Sequence, residues 1–134
     1  MSRLLIAVIP FVLTACGPDA AAYQQQVSAL EVAVTQHQDE SQTTADCVDE
    51  HRRYDELARP RLGQMTGMSG PMGMRSMCGS MQSELDRHAG AACAGDAAAN
   101  RAEAVHHCQL MKDWLGRQQT CTRSMMGMGG RCEP

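Results

Sequence analysis

Apolar and small residues recur at steps of three and four from Ala20 to Ala58. The set is Ala20, Tyr23, Val27, Leu30, Val34, His37, Ser41, Thr44, Cys47, His51, Tyr54 and Ala58. An α-helix turns every 3.6 residues, so this spacing lines the set up along one stripe. No segment of the chain shows the β-branched alternation of a strand. The stripe is greasy at first and polar later. Ser41-Gln42-Thr43-Thr44 are weak helix formers, and Asp46 is placed to cap a fresh start. The pattern predicts either one long helix or two in line with a bend near 41–45. Pro60 is expected to stop it.

Residues 60–73 hold Gly63, Gly67, Gly70, Pro71 and Gly73 and read as a loop or frayed helix. Helical spacing returns over 74–89, with Met74, Met77, Cys78, Met81, Leu85 and His88 inward. A turn follows over Gly90 to Gly95, and Asp96 is a plausible N-cap. A further helix is expected over 97–123, with Val105, Cys108, Met111, Leu115 and Cys121 inward. The predicted fold is therefore all-α, a small antiparallel bundle of three or four helices with a Met/Gly-rich loop and tail at one end.

Such a bundle has little to build a core from. The chain holds one Trp, two Tyr and one Phe, against 11 Met and seven Cys. A small domain with few conventional hydrophobes needs disulfides or a metal. Cys47, Cys78, Cys93, Cys108, Cys121 and Cys132 form an even set once Cys16 is set aside. No CxxC or CxxCH occurs, so zinc-ribbon, thioredoxin-type and haem-attachment readings lack their motifs. Six Cys allow 15 pairings; helix levels suggest Cys78–Cys108, and Cys47–Cys93 with Cys121–Cys132 is the pairing chosen for the rest. Each would contribute ~2–4 kcal/mol. The competing use of these thiols is as metal ligands. Cys47 and His51 are i,i+4, while Cys108 and Met111, like Cys78 and Met81, are i,i+3, so each pair shares a helix face.

The chain opens with Arg3, an apolar run over residues 4–13 and then Leu13-Thr14-Ala15-Cys16. The run has the length of a signal-peptide core and is too short to span a bilayer. The sequence resembles the lipobox of bacterial lipoproteins. That resemblance implies cleavage before Cys16, lipidation of Cys16 and a membrane anchor. It divides the chain into a signal peptide (1–15), a lipidated Cys and tether (16–22) and a single helical domain (23–134). Gly17, where Asp would signal retention, implies the outer membrane, on its periplasmic or surface face. The competing reading is an ordinary secretory signal cut after Ala20 to Ala22. Either way the chain is expected to be exported, where six cysteines can oxidise.

Two methionine patches stand out. Met65, Met68, Met72, Met74, Met77 and Met81 form one, and Met125, Met126 and Met128 the other. If the helix over 20–58 runs down, the next up and the last down, both patches meet at one end of the bundle. His51, Tyr54, Cys121 and Cys132 would then lie beside them. Thioethers are soft ligands suited to Cu(I). Met72/Met74 and Met126/Met128 resemble the Met-x-Met elements of periplasmic copper-handling proteins. Helical bundles with inward Cys also resemble copper storage proteins, although those carry CxxxC pairs that this chain lacks. Met77, Met81 and Met111, spaced beside Leu, read first as core filler. Met65 to Met74 lie among glycines and read as ligands or contact surface.

Five histidines complete the inventory: His37, His51, His88, His106 and His107. His88 precedes the expected turn and His106–His107 follow it, so they can approach across the hairpin. His51 and His107 are candidate copper ligands, whereas His37 reads as a surface or hydrogen-bonded residue.

The chain carries 15 acidic and 12 basic side chains. There is no basic patch, which argues against nucleic acid as a partner. The acidic run from Asp39 to Glu56, with Arg52 and Arg53 interleaved, reads as a solvated helix face. No nucleophile motif, phosphate loop or HExxH is present, so an enzyme is not expected. The leading expectation is an exported, lipid-anchored protein that sequesters or hands on Cu(I) or Ag(I) through its Met-rich segments, with His and Cys help. The alternative is a disulfide-stapled envelope module whose Met surface docks a periplasmic protein, with no metal. A redox- or oxidant-sensing role ranks behind both.

Overall fold

The structure, a computed structural model, describes residues 20–68 and 72–126. They form four helices: α1 (Ala20–Ser41), α2 (Cys47–Met68), α3 (Met72–Ala91) and α4 (Ala97–Met126). Neighbours in the sequence pack together, and α4 closes the ring against α1. The result is the expected all-α antiparallel bundle, in its four-helix form. None of the described helices is long and apolar enough to cross a membrane.

The weak stretch after Ser41 is a reversal rather than a bend. Thr43 and Thr44 donate to the Glu40 carbonyl as α1 ends. Asp46 then caps α2, accepting from the Asp49 amide at 3.0 Å. Two helices in line would leave the stripe without a partner; folding back lets each half bury the other. At the second reversal Asp96 caps α4, accepting from the Ala99 amide at 2.8 Å. Gly95 is needed there, because a Cβ would sit 2.8 Å from the Ala99 methyl.

Pro60 does not end α2, which runs on through Gly63 and Gly67 to Met68. An interior proline costs a helix ~3 kcal/mol. Beyond it, however, Leu62 and Met65 are fully buried, and burying each side chain returns roughly 1.5–3 kcal/mol. The apolar stripe therefore carries the helix across the proline.

The core runs the length of the bundle, from Tyr23, Val27, Leu30 and Val34 on α1 to Met111 and Leu115 on α4. The inward set expected for α3, Met74 to His88, is buried throughout. Of the set expected on α4, Val105 is only half-buried. Ala104 and His107 face inward with Cys108 instead.

A disulfide joins Cys47 to Cys93, as expected, and ties the start of α2 to the α3–α4 turn. The expected Cys78–Cys108 pair does not form; both are free, buried thiols. The hairpin register explains this. Gln118 bonds the Met74 carbonyl, and His107 bonds Glu84. Cys108 therefore lies near the level of Glu84 to His88, about two helical turns, on the order of 11 Å, from Cys78. Burial pushes the Cys108 thiol up to about 12 and raises that of Cys78. The Cys132 end of the expected Cys121–Cys132 pair lies outside the described residues, as do Cys16 and the whole lipobox.

Candidate metal centre

Four of the five histidines converge inside the bundle, at the end closed by the disulfide. His37 lies one turn before the end of α1, and His51 one turn into α2. His88 is near the end of α3, and His107 is about three turns into α4. His37, His88 and His107 are buried, and His51 is half-buried. His106 points to solvent. One ring nitrogen from each of His37, His51 and His88 falls within 4.8 Å of the others.

Three carboxylates orient these rings. His37 Nδ1 lies 2.7 Å from Glu50 Oε1. His88 Nδ1 lies 2.9 Å from Glu103 Oε1, and His107 Nδ1 lies 2.9 Å from Glu84 Oε1. A carboxylate only accepts, so each Nδ1 is assigned as the donor. Glu84 and Glu103 are held in turn by Arg87, whose guanidinium donates to them at 2.6 and 2.7 Å. Burial raises the Glu103 pKa, but Arg87 and His88 outweigh it and bring it down to about 2. Glu84 is lowered in the same way, with burial opposed by Arg87 and His107.

The Nε2 side of two rings is then left facing inward. His37 Nε2 and His88 Nε2 stand 3.1 Å apart. With each Nδ1 donating to a glutamate, the two Nε2 lone pairs face each other, and a metal ion between them would turn that repulsion into two bonds. Ligands about 2.0–2.1 Å from a tetrahedral ion stand about 3.3 Å from one another. The observed gap is close to that spacing. His51 adds a buried Nδ1 with no hydrogen-bond partner.

Burial favours the neutral form, the one metals bind, at His51, His88 and His107. It pushes His88 down to about 3, reinforced by His107. It pushes His107 down to about 4 against the pull of Glu84. It also lowers His51, with His37 adding to the effect.

His107, an expected ligand, has both nitrogens taken. Its Nε2 lies 2.8 Å from the Tyr54 hydroxyl, the other nitrogen facing Glu84. It stacks on His88 at 3.9 Å, and Tyr54 stacks on His37 at 4.0 Å. Together they form a wall that fixes the two facing rings.

The methionines lie elsewhere. Met65, Met74, Met77 and Met81 are buried in the hydrophobic core, and Met68 packs against it. Tyr54 shares the core cluster with these methionines, but the expected neighbourhood of His51 with Met65 is overturned by the reversal after Ser41. Fourteen residues of α2 separate His51 from Met65, about 21 Å of helix. Met128 and the side chains of Met72, Met125 and Met126 lie outside the described residues.

His37, Glu50, Glu84, Arg87 and Glu103 carry the site with no role assigned from the sequence. His37 did sit on the buried stripe, seven residues after Leu30. Glu50 falls within the acidic run expected to be solvated. Arg52 does pair there with Asp49 and Glu56, and Arg53 with Glu40, but Glu50 turns inward and is buried.

No protein-family model, curated protein or solved structure matches this chain.

Proposed function

We propose that this chain is an exported, lipid-anchored protein that binds a copper ion and sequesters it or hands it on. In this reading His37, His51 and His88 are the ligands. The observation that carries it is the facing pair of Nε2 atoms on His37 and His88, each backed by a glutamate on Nδ1. Carboxylate-backed histidines are the usual outer support of a metal site, because the hydrogen bond fixes the tautomer and raises ligand basicity. Imidazole suits copper and zinc, and at equal geometry copper binds more tightly.

A further observation supports the reading. The Cys47–Cys93 disulfide agrees with an oxidising compartment, which the lipobox-like start also implies. The burial of Met65, Met74, Met77 and Met81 moves the proposed ligands from thioethers to imidazoles. Met72, Met125, Met126 and Met128 remain candidates for a separate Cu(I) or Ag(I) surface. The histidine site is tested by copper titration against a competing chelator. One ion per chain, lost in His37→Ala and His88→Ala variants of unchanged helicity, is the expected result. Undiminished binding in both variants would contradict it.

A further inference from the structure

A cavity of about 170 Å³ opens beside the three histidines. Its inner wall is His37, Glu50, His51 and His88, and its outer wall includes Ala97 and Arg101 at the start of α4. One water needs only ~10–15 Å³ of such space. Small residues hold it open, with Ala92 and Ala104 buried in its sides.

Three imidazoles do not complete the shell of a four-coordinate ion. Sites with three protein ligands keep a fourth position for an exchangeable ligand, whereas purely structural sites close it. Of the other groups nearby, Glu50 has its Oε1 turned to His37. His107 is held between Tyr54 and Glu84. The remaining direction is the cavity. Arg101 lines it, and its guanidinium makes no ion pair among the described residues. The exposed Arg101 offsets the Glu50 carboxylate that also lines the cavity, so a metal ion bound to the histidines would leave the space favouring a negatively charged occupant.

Resting on the copper reading above, we infer that the ion keeps one coordination position open to this cavity for a small monodentate anion, steered by Arg101. The step is a ligand substitution. The anion's lone pair forms a bond to the metal, a water leaves, and no electron changes hands. Such a position is where an ion can be passed between donor groups without leaving coordination.

The test is titration of the Cu(II)-loaded protein with azide, followed by the azide-to-copper charge-transfer band and by the electron paramagnetic resonance of the copper. A saturable band at one azide per copper is expected. Arg101→Gln should weaken azide by about tenfold while copper stoichiometry stays the same. Ala97→Phe, at an exposed position, should block it. Stoichiometric copper without an azide band would overturn the inference and leave the copper reading standing. A band unchanged in both variants would also overturn it, by placing azide elsewhere. Failure to bind copper at all would overturn both.

Discussion

His37 on α1 and His88 on α3 meet across the middle of the bundle, their Nε2 atoms 3.1 Å apart. Each ring is held from behind by a glutamate of a neighbouring helix, Glu50 on α2 and Glu103 on α4. All four helices therefore contribute to one pair of nitrogens. A bundle built for stability alone gains nothing from this, since apolar side chains of similar volume pack there at no desolvation cost.

The glutamates behind the rings should matter to the metal without touching it. Glu50→Gln and Glu103→Gln keep the shape but replace a charged acceptor with a neutral one. Losses of about 10–100-fold in copper affinity are expected, as for other outer partners of metal-bound histidines. Isothermal titration of the two variants checks this. Affinities equal to that of the parent would show that the rings are oriented by something else.

Acid should destabilise the metal-free protein. His88 and His107 have folded pKa values of about 3 and about 4, against about 6.5 in an unfolded chain. Above pH 6.5 both states are neutral there and nothing is lost. Below it the unfolded state takes up protons that the folded state refuses. Stability then falls by about 1.4 kcal/mol per pH unit for each such histidine. Glu103 and Glu84, both depressed, add a further loss once pH drops below the ordinary carboxylate range. Urea denaturation in chelator at pH 7, 6 and 5 should show a steady decline. A flat profile over that range would contradict the neutral, buried assignment.

The buried methionines should behave as packing. Met65→Leu and Met81→Leu conserve volume and should each cost less than about 1.5 kcal/mol. Met81→Ala should cost roughly 2–5 kcal/mol through the cavity it leaves. Copper affinity at the histidines should not move with Met65→Leu or Met81→Leu. Thermal melts and titrations on the same samples separate the two effects. A large affinity loss with Met65→Leu would return the ligands to the thioethers.

Reducing the Cys47–Cys93 bridge, or replacing both with Ala, should cost roughly 2–5 kcal/mol. It should also loosen the end of the bundle that holds the site. Chemical denaturation and copper titration of the double variant are the measurements. Unchanged stability would mean that the bridge contributes nothing to the fold.

The helices were legible because their signal is local. The stripe from Tyr23 to Ala58 and the inward set from Met74 to His88 were set by spacing, and both caps by Asp46 and Asp96. What escaped was non-local. The reversal after Ser41 depends on α1 finding α2, which a window of residues does not show, and it moved His51 to the opposite end from Met65. Pro60 does not end its helix because burial of Leu62 and Met65 outweighs a local penalty. In the site, Glu84 and His88 are i,i+4, as are Glu103 and His107, a repeated pairing visible in the sequence. The structure exchanges the partners, so that Glu84 holds His107 and Glu103 holds His88. Spacing along one helix shows that such groups are near each other, and only the packed hairpin decides which pairs form.

The most direct measurement is X-ray absorption of the copper-loaded protein at the copper edge. The account predicts a first shell of nitrogen scatterers with the outer-shell pattern of imidazole rings, reduced in a His37→Ala variant. A first shell of sulfur, unaffected by that variant, would contradict it.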